Sequence, residues 1–361
     1  MVITFPHMGK VYISVKALFD DLKVKTVVPP PISKDTLEIG TRLSPEMACL
    51  PLKINMGNYI ESIRQGADTI VLTGSCGPCR FGYYGVVQKE ILRDMGYDVD
   101  IVILDLPGAG HKSLIENIRK ISGNSNLPDL VMAFRRAVKV TFEVDELLDL
   151  ATSKRARELT KGDTDRCLND FENMVRRVNG STEILGLISQ YKNNISSIAE
   201  REGIRPLKIG LVGEIYTLIE PYVNLFIENK LGSLGVEVHR GLTISDWIKT
   251  HLSLDLKYKR ERKAMLEKAD PYLHLCIGGH AWETIARSVD FYEKGLDGII
   301  QILPFGCMPE IVAESIMPTI SREFDFPIMT LSVDELTGEA GYMTRLEAFV
   351  DLLSQKKGKV I

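Results

Sequence analysis

Thr69-Ile70-Val71-Leu72-Thr73-Gly74-Ser75-Cys76-Gly77-Pro78-Cys79 is the stretch on which the fold turns. Thr69 to Leu72 is a short run of β-branched and apolar side chains without polar alternation, the pattern of a buried strand. The Gly/Cys/Pro turn from Gly74 to Cys79 ends it. Gly85 to Met95 then carries a helical pattern, and Val99 to Leu104 is a second strand run. Strand, turn, helix and strand make a βαβ unit, whose strands lie parallel. The stretch has a counterpart later in the chain. Gly66-Ala67-Asp68-Thr69-Ile70-Val71 matches Gly295-Leu296-Asp297-Gly298-Ile299-Ile300, and the turn after it matches Pro304-Phe305-Gly306-Cys307-Met308-Pro309. The offset is 229 residues from Gly66 to Gly295 and 228 from Cys79 to Cys307. Such a repeat implies two similar α/β domains with equivalent turns. A chance likeness between two βαβ units is the alternative.

Working outward, Val2 to Phe5 and Val24 to Val28 read as strands, and Lys10 to Leu22 and Pro45 to Arg64 as helices. From Glu143 to Glu202 the chain is rich in Lys, Arg, Asp and Glu and reads as two or three helices. The α/β rhythm returns at Lys208. Ile209 to Gly213, Val236 to Val238, Tyr272 to Ile277, Gly298 to Leu303 and Ile328 to Leu331 read as strands, and Tyr222 to Leu231 and Leu346 to Leu353 as helices. The expected organisation is a parallel-sheet α/β domain over 1–142, a helical connecting segment over 143–204 and a second α/β domain over 205–361.

Composition narrows the function. The chain has 361 residues, 45% hydrophobic and 25% charged, enough to bury sizeable cores without staples. A formal charge of −4 gives no electrostatic reason to expect nucleic acid. No apolar run reaches membrane-spanning length, and Met1 to Lys10 lacks the pattern of an export signal. A cytoplasmic location is therefore expected, with the six cysteines as thiols or metal ligands.

Cys76 and Cys79 form a Cys-x-x-Cys between a strand and a helix, and Cys307 sits at the matching turn of the second half. Such turns lie beyond the carboxyl ends of parallel strands, where ligands bind, and helix-start N–H groups there stabilise negative sulfur. Cys49, in Met47-Ala48-Cys49-Leu50-Pro51, stands at a proline-marked helix start. Cys49, Cys76, Cys79 and Cys307 are thus the candidate metal ligands, and a metal held between two domains would explain their distribution. Four thiolates suit zinc or an iron–sulfur cluster. Structural zinc prefers two Cys-x-x-Cys knuckles, and only one close pair is present. A thioredoxin-like dithiol would leave Cys49 and Cys307 unexplained. Buried small hydrophobes are the remaining alternative. Cys167, in helical register with Phe171, Met174 and Val178, reads as core; Cys276, near the repeat-equivalent of Cys49, reads as core with a place close to the site as its alternative. His280, after Gly278-Gly279, is a candidate proton donor, with a turn or capping role as its alternative. Glu214, after a strand, is a candidate acid or base. No phosphate-binding P-loop, Gly-x-Gly-x-x-Gly turn, Gly-x-Ser-x-Gly elbow or His-Glu-x-x-His occurs.

Taken together, Cys49-Leu50-Pro51-Leu52-Lys53, the Cys76–Cys79 turn, Val212-Gly213-Glu214-Ile215-Tyr216, Cys307-Met308-Pro309 and the terminal stretches Asp334 to Ala340 and Thr344 to Phe349 resemble the 2-hydroxyacyl-CoA dehydratase superfamily. The branch most similar is the one associated with acyl-CoA dehydratase activases. The resemblance spans nearly the whole chain. It implies Rossmann-like domains around an oxygen-sensitive iron–sulfur cluster, a [4Fe–4S] centre held by three cysteines: Cys49, one of Cys76 or Cys79, and Cys307. The extra cysteine of the pair departs from that pattern. If all four bind, no iron is left open to coordinate substrate and electron transfer is favoured over dehydration. The resemblance further implies an acyl-CoA substrate, a homo- or heterodimer, and a separate ATP-hydrolysing activase that delivers low-potential electrons from its own cluster.

Overall fold

The structure is a computed structural model that describes residues 1–74, 79–104, 111–123, 125–252 and 255–358. It is an α/β protein with two parallel sheets. The chain divides into two compact units, one of Met1–Thr141 with Arg176–Leu185, the other of Phe142–Val175 with Gly186–Ile361.

In the first unit β1 (Ile3–Thr4), β2 (Thr69–Thr73) and β3 (Asp100–Leu104) pair in parallel in that order. The first four residues of β2 are buried, as its unbroken apolar run requires. The helix Leu50–Arg64 precedes β2, and the helix Phe81–Asp94 follows it. Leu52, Met56, Tyr59 and Ile60 from the first helix pack with Ile70, Leu72, Tyr84 and Leu92. The helix Lys34–Leu43 lies against Leu50–Arg64 backbone to backbone. A methyl group on Gly40 would stand 1.7 Å from the Lys53 carbonyl oxygen, and one on Gly57 would stand 1.9 Å from that of Thr36. The expected strand at Val24 to Val28 is only a single bridge, Thr26 to Ile3.

In the second unit β4 (Leu207–Gly213), β5 (Val236–Arg240), β6 (Gly298–Pro304) and β7 (Ile328–Val333) form a parallel sheet in the order β5-β4-β6-β7. The chain leaves β4 for β5 on one side and returns through β6 on the other. The crevice beyond the carboxyl ends of β4 and β6 is therefore a topological switch point, the usual ligand position in open sheets. The helix Ala281–Glu293 leads into β6, and the helix Met308–Glu323 leaves it. Tyr272 to Ile277 is not a strand. Its Tyr272, Leu273 and Ile277 pack onto the core around Ala281–Glu293, while Leu275 and Cys276 are exposed. The charged stretch after Glu143 is helical, in Leu127–Arg155, Asp163–Val175 and Gly180–Ser196. Among the described residues no helix is long and apolar enough to cross a membrane.

The repeated Gly-x-Asp has the same structure in both units. Gly66 and Gly295 adopt left-handed backbone with φ of 98° and 72°. Each ends its helix in a Schellman closure: Ala67 N–H donates to the Ser62 carbonyl and Leu296 N–H to that of Phe291. Asp68 then accepts from Val2 N–H at 2.7 Å and Asp297 from Lys208 N–H at 2.8 Å. The two aspartate amides donate back, to the Val2 and Lys208 carbonyls. One element thus sets the register of β2 on β1 and of β6 on β4.

Candidate functional site

In the first unit, Cys49 caps the helix Leu50–Arg64, with extended backbone and Pro51 in the first turn. Cys79 lies beyond the carboxyl end of β2, immediately before Arg80, the cap of Phe81–Asp94. Neither helix start has a side-chain cap, so each presents backbone N–H groups and positive dipole to the sulfur-bearing turns. Two side chains from the second helix draw the turns together. The Arg80 guanidinium donates to the Met47 carbonyl at 2.9 Å, and the Tyr84 hydroxyl is hydrogen-bonded to Cys49 Sγ. Burial first, and then the Cys49 sulfur, raise the Tyr84 phenol above its ordinary range, so it keeps its proton. Cys49 and Cys79 are both half-buried. Cys76 lies outside the described residues.

In the second unit, Gly213 ends β4 with φ of 137°. A methyl group there would meet the Ile302 carbonyl oxygen of β6 at 1.9 Å. Glu214 follows, and its carboxylate accepts from Tyr216 N–H, Thr217 N–H and the Thr217 hydroxyl, each at 2.9 Å. Glu214 therefore caps the short helix Ile215–Ile219. Across the switch point, half-buried Cys307 caps Met308–Glu323, with Pro309 in its first turn, as Pro51 follows Cys49. His280 caps Ala281–Glu293 through its backbone and makes no side-chain capping bond. Its turn lies on the Cys307 turn: a methyl group on Gly279, at φ of 59°, would come within 2.7 Å of Pro309 Cγ. His280 is half-buried, and Phe305 and Met308, which flank Cys307, are exposed.

Beneath these turns sits a group the sequence reading missed. Glu310, in the first turn after Cys307, is completely buried. The Thr284 hydroxyl lies 3.0 and 3.1 Å from its two carboxyl oxygens. The Gln301 side-chain amide donates to Glu310 Oε2 at 3.0 Å and to its backbone carbonyl at 3.1 Å. Thr330 on β7 donates to Gln301 Oε1 at 3.0 Å. Burial pushes the Glu310 carboxyl up to about 8; the two hydrogen bonds oppose this, and Glu214 and Glu283 add to it. One signal was present in the sequence: Gln301 is the single polar side chain in Ile299-Ile300-Gln301-Ile302-Leu303. A buried amide needs a buried partner.

Among the remaining cysteines, Cys167 is half-buried, its thiol pushed up by burial and then by Asp170. Cys276 is exposed, which removes the core role expected of it. Among the described residues no three His, Cys, Asp or Glu side chains gather into a metal-holding group. The donor chemistry nevertheless fits iron–sulfur ligation in kind. Cys49, Cys79 and Cys307 are soft thiol donors, each at or beside a helix start rich in N–H groups. No protein-family model and no curated protein matches the chain.

Proposed function

We propose that the chain is an iron–sulfur protein of the 2-hydroxyacyl-CoA dehydratase type, with Rossmann-like units and with Cys49, Cys76, Cys79 and Cys307 as ligands of a [4Fe–4S] cluster. The observation that carries this reading is the pairing, in the first unit, of the Cys49 and Cys79 turns at the carboxyl end of β2. Cys307 supports it from the corresponding end of β6. A bound cluster would supply single low-potential electrons for radical or reductive chemistry on an acyl-CoA-like thioester. The chain's own residues would tune that potential. Helix-start N–H groups stabilise sulfur charge, and a Cys49 thiolate would accept from the Tyr84 hydroxyl bonded to it. An ATP-hydrolysing activase with its own cluster would be the electron donor.

The test is anaerobic purification with iron and acid-labile sulfide analysis, and EPR with and without reductant. Brown protein with stoichiometric iron and sulfide is expected. Colourless protein carrying stoichiometric zinc would overturn the proposal. Cys49→Ser and Cys307→Ser should each lose or convert the cluster signal. Cys79→Ser decides between a fully ligated cluster, whose spectrum it would change, and three-cysteine coordination with one open iron.

A further inference from the structure

Glu310 is unusual for an acidic residue at a helix start. There a glutamate ordinarily faces water as an anion and favours the helix dipole. Glu310 is instead 0% exposed, and among the described residues no cation pairs with it. A buried carboxyl without a cation is costly, so its retention asks for a reason. Its partners supply one. Thr284 lies one turn into the helix that begins at the His280 turn, and the Thr284 amide also donates to the His280 carbonyl at 2.7 Å. Gln301 is in the middle of β6, whose end leads to Cys307. Glu310 itself follows Cys307 by three residues. The carboxyl thus joins the helix after the His280 turn, the strand before Cys307 and the helix after Cys307. Above it, Gly279 rests on Pro309 so closely that no side chain fits between them.

We propose that Glu310 is a positioning residue of the second unit, holding the His280 turn against the Cys307 turn through Thr284 and Gln301. Glu310 therefore sets how these two turns at the switch point stand relative to one another. The device parallels the first unit, where Tyr84 from the helix after β2 reaches the cap of the helix before β2. It does not depend on a cluster being bound.

Hydrogen–deuterium exchange on the full chain near neutral pH tests it, with iron content measured separately so that loss of a cluster is not mistaken for loss of the tie. Glu310→Ala should speed exchange about tenfold or more in residues 278–284 and 304–311, the expected result of losing two buried hydrogen bonds. Other peptides of the second unit should change little. Glu310→Gln keeps the shape of a protonated carboxyl and both hydrogen bonds, so it should exchange no faster than wild type. Thr284→Val cuts the tie from the other side and should loosen the same two segments; it serves if Glu310→Ala does not fold. Unchanged exchange in those segments would overturn the proposal. So would loosening spread evenly over the unit, which would make Glu310 an ordinary core residue, or a Glu310→Gln variant as loose as Glu310→Ala.

Discussion

Glu310→Gln also separates the two protonation states of the buried carboxyl. Burial raises Glu310 from 4.5 to about 8, with Glu214 and Glu283 pushing the same way. Glu283 is itself paired with Arg262 at 2.7 Å. Between those two values the native chain holds a proton that the unfolded chain has released. Stability must then fall as pH rises through that window, by the linkage of bound protons to unfolding free energy. Below it both states are protonated, above it both are ionised, and the dependence on this group vanishes. From 4.5 to about 8, at about 1.4 kcal/mol per pH unit, the loss reaches about 5 kcal/mol. It shrinks toward ~3 kcal/mol if the ionised carboxyl draws water into its pocket. Glu310→Gln cannot ionise. Its stability should match wild type near ~pH 4.5 and exceed it by a margin that grows to a few kcal/mol near ~pH 8.5. Urea unfolding followed by tryptophan fluorescence is the suitable assay, because Trp247 and Trp282 both lie in the second unit. Parallel pH profiles for the two proteins would refute the reasoning. So would a glutamine variant several kcal/mol less stable at every pH, because that would mean the native carboxyl is ionised and needed as an anion.

Gly213→Ala should destabilise the second unit by more than ~2 kcal/mol in thermal unfolding, because left-handed backbone and a contact of 1.9 Å to the Ile302 oxygen both oppose the new methyl group; an unchanged melting temperature would sink that account. Gly57→Ala should force the helices Lys34–Leu43 and Leu50–Arg64 apart, with a comparable loss in the first unit read by hydrogen exchange of residues 34–64. Tyr84→Phe removes the hydroxyl bonded to Cys49, so alkylation of Cys49 in cluster-free protein should slow by up to about fivefold, as about 1 kcal/mol of hydrogen bonding to the thiolate is lost. Equal alkylation rates would remove Tyr84 from the site.

The parallel sheets were legible because their strands are short, continuous apolar runs bounded by Gly and Pro. Thr69–Thr73 and Gly298–Pro304 have that character and are strands. Tyr272 to Ile277 has a similar composition without being one. Local pattern does not say which surface an apolar side chain will cover, and Tyr272, Leu273 and Ile277 cover a helix core instead of a neighbouring strand. The helix Lys34–Leu43 escaped notice for a different reason. It is held by glycine-to-backbone contact at Gly40 and by a Ser33–Thr36 capping box, so it offers few large apolar residues to read. At the candidate site, the proline after Cys49 marked its helix start, and Pro309 stands at the matching place after Cys307. The fate of the acids was hidden. Glu214 and Glu310 each sit near a helix start, yet one spends its oxygens on capping amides and the other is buried among neutral donors. Only Gln301, stranded in an apolar run, hinted at the difference.

The two units meet the same structural demand with different chemistry, and this sharpens what each cysteine requires. In both, a helix ends at a Gly-x-Asp that registers the next strand, the strand ends in a cysteine-bearing turn, and a second helix departs. Both also need the cap of the first helix held near that turn. In the first unit the cap is Cys49 and the brace is a tyrosine bonded to the sulfur itself, so the brace and the thiol chemistry cannot be altered independently. In the second the cap is His280 and the brace runs through the Thr284 and Glu310 side chains. Changing the brace should therefore alter the thiol directly in the first unit and only its placement in the second. Tyr84→Phe should shift the reactivity of Cys49 and speed exchange around its turn together. Glu310→Ala should shift exchange around Cys307 before it changes the intrinsic acidity of that thiol, a contrast measurable by alkylation across pH on the two variants side by side.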